Sequence, residues 1–265
     1  MTEEFSRHLL PPDLTQLFGR PVELAPELMR GLDYRDASSA EISEIRAKLA
    51  DLLADNHVGA SSMERWEEGW AEVRSRVTRD GVSEETLAPQ YFRHQIFRLH
   101  GRLIRSRSAS FEPRLYHAIK TVIFGTYLAG VTRAVEFGCG TGLNLLQIHR
   151  MFPQMRLIGA DWARPSQELV ALIAEATGAD MSGVHFDMRT LVGQESILID
   201  GEETAILTLH AMEQLGRDYA PFLEYLVAAK PKIAVHLEPI LELYDPAKPF
   251  DADAIAYHKK RGYLE

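Results

Sequence analysis

Hydrophobic positions recur at helical spacing through the first half of the chain. Ser38 and Glu41 have the spacing of a capping box, and the apolar residues that follow lie on one helical face: Ile42, Ile45, Leu49, Leu52 and Leu53. Ser61 and Glu64 repeat the device before a second apolar series at steps of three and four: Met63, Trp66, Trp70, Val73 and Val77. The pattern predicts two helices. It assigns the tryptophans to the core rather than to a ligand site.

Two further helices are predicted before residue 130. One begins near Pro89 and carries apolar positions at helical spacing: Phe92, Ile96, Leu99 and Leu103. The other has Pro113 in its first turn and Gly130 after its end. The sequence RSRSASFEP separates them as a loop. We therefore predict an all-helical N-terminal cap or lid domain over residues 1–110 and a second domain over residues 111–265.

The pattern changes at Arg133 to short apolar runs that alternate with helical stretches near 142–151, 165–177 and 218–229. The predicted strands are Arg133–Phe137, Arg156–Ala160, Val184–Phe186, Ala205–Leu209 and Ile233–Leu237. This alternation predicts an α/β fold, a Rossmann-like, doubly wound and mostly parallel sheet with helices on both faces. Asp251–Leu264 is predicted as a single closing helix.

Composition narrows the class of protein. The 265 residues are 46% hydrophobic and carry a net charge of −9, which is typical of a globular chain and disfavours non-specific binding to nucleic acid. The longest mostly apolar run, Thr121–Val131, is too short to span a bilayer, and the N-terminus has no signal-peptide pattern. The single cysteine excludes an intrachain disulfide and a cysteine-rich zinc site. We expect a soluble, cytoplasmic protein without a membrane partner.

The first predicted strand of the second domain ends in a glycine-rich loop. Gly138, Gly140 and Gly142 stand at alternate positions between this strand and a helix. Without Cβ atoms, such a turn lets a ligand approach the N–H groups at a helix N-terminus. The spacing differs from the dinucleotide fingerprint, because Leu143 stands where the third glycine would be, and no G-K-[ST] follows as in a phosphate-binding P-loop.

With Glu136 two residues before Gly138, the G-x-G-x-G loop resembles motif I of the class I S-adenosylmethionine-dependent methyltransferases. The resemblance covers about residues 113–240. It implies S-adenosyl-L-methionine as the cofactor and a loop that wraps its methionine part and approaches its ribose. Cap segments in related enzymes form a lid over the acceptor.

Acidic residues follow the next two predicted strands. Asp161 comes nineteen residues after Gly142, and Asp187 ends the third strand. The resemblance implies that Asp161 binds the ribose hydroxyls, Trp162 flanks the adenine, Asp187 accepts from the adenine amino group and Met188 packs on the ring. Each acid alone is also compatible with a helix cap or a loop charge. Their common position at strand ends beside the glycine loop favours cofactor binding.

Titratable residues follow the last two strands: His210 with Glu213, and His236 with Glu238. Three interpretations are open. One histidine is a general base oriented by a glutamate, or the four side chains bind a divalent metal, or they are polar residues that hold loops. The segments HAMEQ, HLEP and SFEPRLYHAIK also resemble, more loosely, a group of sugar and small-molecule O-methyltransferases.

A basic stretch precedes the glycine loop: Arg93, Arg98, Arg102, Arg105, Arg107 and Arg114. It fits an anionic acceptor such as RNA, or it pairs with acids of the N-terminal half, and we favour pairing. Three of these arginines, at positions 98, 102 and 105, are expected on one helix face.

Together these observations predict a methyltransferase that acts on a small-molecule acceptor, by O-methylation with His210 or His236 as base. A metal-assisted methyltransferase, an RNA methyltransferase and a non-catalytic partner subunit are the alternatives. Class I methyltransferases usually end with two further strands, and none is recognised after Leu237. We therefore predict that strands six and seven are missing. Either the chain is truncated, or a homo-oligomer covers the exposed sheet edge.

Overall fold

The computed structural model describes residues 5, 7–8, 25–55, 63–89, 94–199, 201 and 203–263. The elements in chain order are β1 (Arg7–His8), α1 (Pro26–Met29), β2 (Asp33–Asp36), α2 (Ser39–Ala54), α3 (Met63–Asp80), α4 (Glu84–Leu87), β3 (Ile96–Leu99), β4 (Arg102–Ser106), α5 (Phe111–Tyr127), β5 (Arg133–Phe137), α6 (Leu143–Met151), β6 (Arg156–Asp161), α7 (Arg164–Thr177), β7 (Met181–His185), β8 (Thr204–Leu209), α8 (Ala220–Ala229), β9 (Ile233–Leu237) and α9 (Pro249–Arg261).

The chain divides into two compact units, and each is assembled from two separate segments. The first unit holds the described residues of 1–48 and 89–126, and the second holds those of 49–88 and 127–265. The two units thus differ from the two predicted domains, 1–110 and 111–265. Residues 49–88 group with the glycine-loop half, and residues 111–126 group with the first unit. The role of residues 1–110 as a lid stays a prediction.

The first unit contains an antiparallel sheet in the order β1-β2-β4-β3. The prediction of an all-helical N-terminal domain is therefore wrong. Residues 96–106 form a β-hairpin instead of the helix expected from Ile96 onward, and the arginines at 98, 102 and 105 lie on strands. The expected start of that helix, with Phe92 and Arg93, lies outside the described residues.

The turn between β3 and β4 gives the physical reason for the hairpin. Only His100 and Gly101 separate the strands, and both have positive φ angles, +49° and +73°. A two-residue turn with both φ angles positive matches the right-handed twist of paired strands. The apolar residues of this hairpin pack with those of α1, β2 and α5 in one core: Met29, Leu32, Tyr34, Leu99, Ile104, Phe111 and Leu115.

The predicted helices α2, α3 and α5 are present. The capping box at the start of α2 is confirmed, because the Ser38 N–H donates to Glu41 Oε2 at 2.8 Å and the Glu41 N–H donates to Ser38 Oγ at 3.3 Å. Ser61, expected to cap α3, lies outside the described residues. Within α3 the buried residues are Val73 and Val77.

The second unit contains the predicted parallel sheet, in the order β7-β6-β5-β8-β9. The Rossmann-like α/β prediction is confirmed for this unit. Strand order reverses between β5 and β8, which makes the carboxyl ends of these strands the switch point where ligands bind in open α/β sheets. Among the described residues this sheet has five strands, with β9 at one edge, and α9 lies where the closing helix was predicted.

An aromatic cluster fixes the sheet against the following helices. The Phe137 ring packs edge to face on Phe186 at 4.8 Å and on Phe222 at 5.0 Å, and all three side chains are fully buried. Helix α7 packs on β6 and β7, and α3 packs on α7. None of the helices among the described residues combines the length and apolar character needed to cross a bilayer.

Candidate cofactor and catalytic site

The glycine loop between β5 and α6 requires glycine at three positions. Gly138, Gly140 and Gly142 have φ angles of +70°, +52° and +73°, in the left-handed region that strains other residues. A Cβ atom on Gly138 would also lie 2.5 Å from the Cβ of Ala211, and one on Gly142 would lie 2.7 Å from Cδ1 of Ile173. The loop is therefore tightly packed against the end of β8 and against α7.

The loop leads directly into the N-terminus of α6. Gly142 is the N-cap residue and offers no side chain to the first-turn N–H groups. Such a helix end carries a partial positive charge, and its N–H groups can bind an anionic ligand group. Because β5 lies at the switch point, these donors are placed where a cofactor is expected in this fold.

Asp161 joins the loop to the end of β6. Its Oδ2 accepts a hydrogen bond from the Gly140 N–H at 2.9 Å, and its Oδ1 accepts one from the Ala163 N–H at 2.9 Å. The side chain is 4% exposed, and this burial raises the pKa of Asp161 to about 6. The structure thus brings the predicted ribose-binding acid into contact with the predicted glycine loop.

Glu136 and Met188 lie around the same loop. The buried Glu136 carboxylate accepts a hydrogen bond from the side-chain amide of Asn144 at 2.6 Å, so it braces β5 against α6. The methyl group of Met188 lies 3.4 Å from the position of a Cβ on Gly138. Both side chains are therefore beside the loop, and their contacts to a cofactor stay a prediction.

Asp187 and Trp162 differ in their surroundings. The Asp187 carboxylate accepts from the Arg189 N–H at 2.9 Å and from the Thr190 hydroxyl at 2.9 Å, so it caps its own turn. The capping interpretation of this acid is thereby supported, and its contact with an adenine amino group stays a prediction. Trp162 follows Asp161 directly and is partly exposed.

His210 and Glu213 form a loose pair beyond β8. His210 Nδ1 lies 3.4 Å from Glu213 Oε2, and the histidine side chain is 38% exposed whereas that of the glutamate is 9% exposed. Glu213 Oε1 accepts from the Gln214 side-chain amide at 2.8 Å, which fixes the carboxylate. His210 itself has a φ angle of +56°, an uncommon conformation for a residue other than glycine.

Glu238 has a structural partner set that the sequence did not reveal. Its carboxylate accepts from three successive backbone N–H groups, at 3.2 Å from Ala211, 3.1 Å from Met212 and 3.2 Å from Glu213. Burial raises the pKa of Glu238, while these hydrogen bonds lower it. Glu238 therefore caps the 3-10 turn at Met212–Leu215, which is a structural role.

His236 lies on the edge strand β9, opposite Thr208 of β8. Its Nδ1 is 2.8 Å from the Thr208 hydroxyl, and burial lowers the pKa of the His236 ring. Within the described ranges, no group of three or more His, Cys, Asp or Glu side chains is arranged to hold a metal ion. His210 faces Glu213, whereas His236 and Glu238 have other partners, so these four side chains do not form a shared ligand set.

Helix α9 brings His258 near the pair formed by His210 and Glu213, and no sequence motif indicated this residue. His258 is buried among the rings of Tyr244, at 5.4 Å, and Tyr263, at 5.5 Å. Burial lowers the pKa of His258, and the negative charge of Glu213 opposes this shift. The carboxylate that faces His210 is therefore also close enough to His258 to influence its charge.

The basic stretch is paired within the first unit. Three of its arginines contact acids of β2 and α2, Arg102 with Asp36 at 3.7 Å, Arg105 with Glu41 at 3.1 Å and Arg107 with Asp33 at 4.0 Å. The strongest partner of Glu41 is Arg35, whose hydrogen bonds lower the Glu41 pKa to about 2. The interpretation of these arginines as partners of N-terminal acids is confirmed.

Comparisons with solved structures find distant likenesses. The chain is similar to the [4+2]-cyclase SpnF with 16% identity and a TM-score of 0.43, over 69% of this chain and 58% of that one. It is similar to the 16S rRNA methyltransferase RmtF, solved with S-adenosyl-L-homocysteine, with 16% identity and a TM-score of 0.40, over 62% and 55% of the two chains. For the plantazolicin methyltransferase BpumL, solved with a monoazolic desmethylPZN analogue and S-adenosyl-L-homocysteine, the identity is 14%, the TM-score 0.40 and the coverage 83% and 74%.

For a geranyl diphosphate methyltransferase solved with S-adenosylmethionine, the chain spans about half of that protein, 51% of its length. A scan of protein-family models and a search of curated proteins found no match. Identities and TM-scores this low carry no functional assignment.

Proposed function

We propose that the second unit binds S-adenosyl-L-methionine and transfers its methyl group to a small-molecule acceptor. The observation that carries this proposal is the hydrogen bond from the Gly140 N–H to the buried Asp161 carboxylate, at 2.9 Å. It joins a G-x-G-x-G loop to an acid at the end of the neighbouring strand, at the switch point of a Rossmann-like sheet.

The residues around the loop fit the chemical groups of this cofactor. The uncapped N-terminus of α6 suits a carboxylate, and the Asp161 carboxylate, with its further lone pairs, suits two ribose hydroxyls. Trp162 and Met188 provide apolar surface for the adenine. When bound, the cofactor supplies a methyl group on a sulfonium, which is already activated for transfer.

His210 is the general base in this proposal. The Glu213 carboxylate fixes the imidazole by accepting from Nδ1–H, so Nε2 becomes the basic nitrogen that takes the proton of an acceptor hydroxyl. His210 is partly exposed, as a residue that meets a substrate must be. His236 is the weaker candidate because it lies on the edge strand β9 and its Nδ1 is engaged by the Thr208 hydroxyl of β8.

A small, hydroxyl-bearing molecule is the acceptor class we propose, with methyl transfer to oxygen. Methylation of an alcohol or phenol requires removal of a proton, and this gives the histidine its task. The net charge of −9 and the pairing of Arg102 and Arg105 with acids leave little basic surface to attract RNA.

Isothermal titration calorimetry with S-adenosylmethionine and S-adenosylhomocysteine tests the proposal. The wild type should bind both, and Asp161→Ala should lose most of the affinity. Asp180→Ala, an exposed acid in the loop before β7, is the matched control and should bind like the wild type. Transfer of labelled methyl groups to a panel of hydroxyl compounds then identifies the acceptor class. A wild-type protein that binds neither cofactor form would overturn the proposal.

A further inference from the structure

Trp66 and Trp70 form a stacked pair on α3, beside the glycine loop. Their ring centroids lie 5.3 Å apart with 28° between the ring planes. Both side chains are only partly buried, although the next turns of the same helix bury Val73 and Val77. Two partly exposed indoles next to a binding loop indicate a ligand-contacting surface rather than a completed core.

Trp70 is the member of this pair that touches the loop. A Cβ atom on Gly140 would lie 3.1 Å from Cζ2 and 3.4 Å from Cη2 of the Trp70 ring. The six-membered ring of the indole therefore covers Gly140, the same residue whose N–H donates to Asp161. An aromatic ring and a carboxylate thus meet at one backbone position.

The position of Trp70 is fixed by the part of α3 that follows it. The Arg74 guanidinium forms an ion pair with Glu168 of α7, and Arg76 donates to the carbonyl oxygens of Thr86 at 2.8 Å and Ala88 at 2.9 Å. Together with the burial of Val73, these contacts fix the position of α3 within the second unit. The indole is consequently a placed group and not a mobile surface side chain.

We propose that Trp70 is a cofactor-specificity residue, whose indole contacts the cationic methionine end of S-adenosylmethionine and favours the sulfonium over the neutral thioether of S-adenosylhomocysteine. This inference rests on the proposed function. Tryptophan is the strongest cation–π partner among the side chains. Since the positive charge on sulfur disappears when the methyl group leaves, the contact favours the substrate form and weakens retention of the product.

The test is the ratio of the dissociation constants of S-adenosylhomocysteine and S-adenosylmethionine, measured by calorimetry. Trp70→Leu should lower this ratio by about threefold to tenfold, the range expected for one cation–π contact. Trp70→Phe keeps a weaker aromatic face and should give an intermediate ratio, and it carries the test if Trp70→Leu fails to fold. Met63→Leu, a change at an exposed residue in the first turn of α3, is the control and should keep the wild-type ratio.

Each outcome separates the two proposals. If the wild type binds neither compound, the proposed function fails. If the wild type binds both and Trp70→Leu weakens them equally or leaves both unchanged, only the inference about charge recognition is overturned. An equal change of the ratio in Met63→Leu would overturn its assignment to Trp70.

Discussion

Burial of the Asp161 carboxylate should make the stability of the fold depend on pH in an unusual direction. The pKa of Asp161 is raised from 3.8 to about 6 in the folded protein, with desolvation as the largest cause. Between these two values the folded state binds a proton that the unfolded state has released. The contribution of this group to stability is therefore complete below pH 4 and is lost as the pH rises through 6.

The magnitude follows from the size of the shift. Roughly two pKa units at 1.36 kcal/mol each correspond to about 3 kcal/mol in the free energy of unfolding. Asp161→Asn removes the titration and keeps the size of the side chain. We expect the wild type to lose about 3 kcal/mol relative to this variant between pH 4 and pH 7, because the difference cancels the other titrating groups that both proteins share.

Urea unfolding at several pH values, followed by circular dichroism, measures this difference directly. The same carboxylate should govern cofactor affinity in the opposite sense, because ribose hydroxyls donate to its ionised form. Affinity of the wild type for S-adenosylmethionine should fall about tenfold from pH 7 to pH 5, and that of Asp161→Asn should stay flat. A stability difference that does not change with pH, or that favours the wild type as the pH rises, would refute the reasoning.

Three further experiments test other parts of the site. Gly140→Ala places a Cβ at a φ of +52° against an indole and should lower the free energy of unfolding by about 1–3 kcal/mol. The loss should be smaller for Gly178→Ala, where φ is +70° but nothing lies within 4 Å of the added Cβ. Equal losses of the two variants in urea titrations would contradict the contact between Gly140 and the indole. His210→Gln should lower kcat by a factor of about 10²–10⁴ and leave the cofactor affinity unchanged. His236→Gln should leave kcat near the wild-type value. Steady-state kinetics in which His236→Gln has the larger effect on kcat would make His236 the base. Glu238→Gln should lower the free energy of unfolding by about 1–3 kcal/mol, because an amide accepts fewer backbone N–H bonds than a carboxylate. If this variant unfolds thermally at the same temperature as the wild type, the capping role is excluded.

The parallel sheet and the glycine loop were predictable because their signals are local. Short apolar runs that alternate with helical stretches indicate βαβ units, and the carboxyl ends of parallel strands share one edge of the sheet. Asp161 could therefore be placed beside Gly140 from the sequence, and the structure joins them by a hydrogen bond. The same reasoning brought Glu238 to this edge.

The parts that were missed depend on contacts distant in sequence. Ile96, Leu99 and Leu103 have helical spacing, and the two-residue turn at His100 and Gly101 was the signal for a hairpin. The role of Glu238 stays open between catalysis and loop support in the sequence, because its three backbone donors belong to another segment. The approach of Trp70 to the loop results from packing between α3 and α7, which no local pattern encodes.

The interleaving of the two units along the chain has a consequence for synthesis. The ribosome delivers residues 49–88 before the first unit is complete, and residues 89–126 before the strands of the parallel sheet. Helix α3 therefore lacks its packing contact with α7 until residue 177 has left the ribosome. For the same reason, a shortened gene that starts at residue 111 would remove α3 and its indole pair from the glycine-loop unit, so cutting the chain once cannot isolate either unit intact.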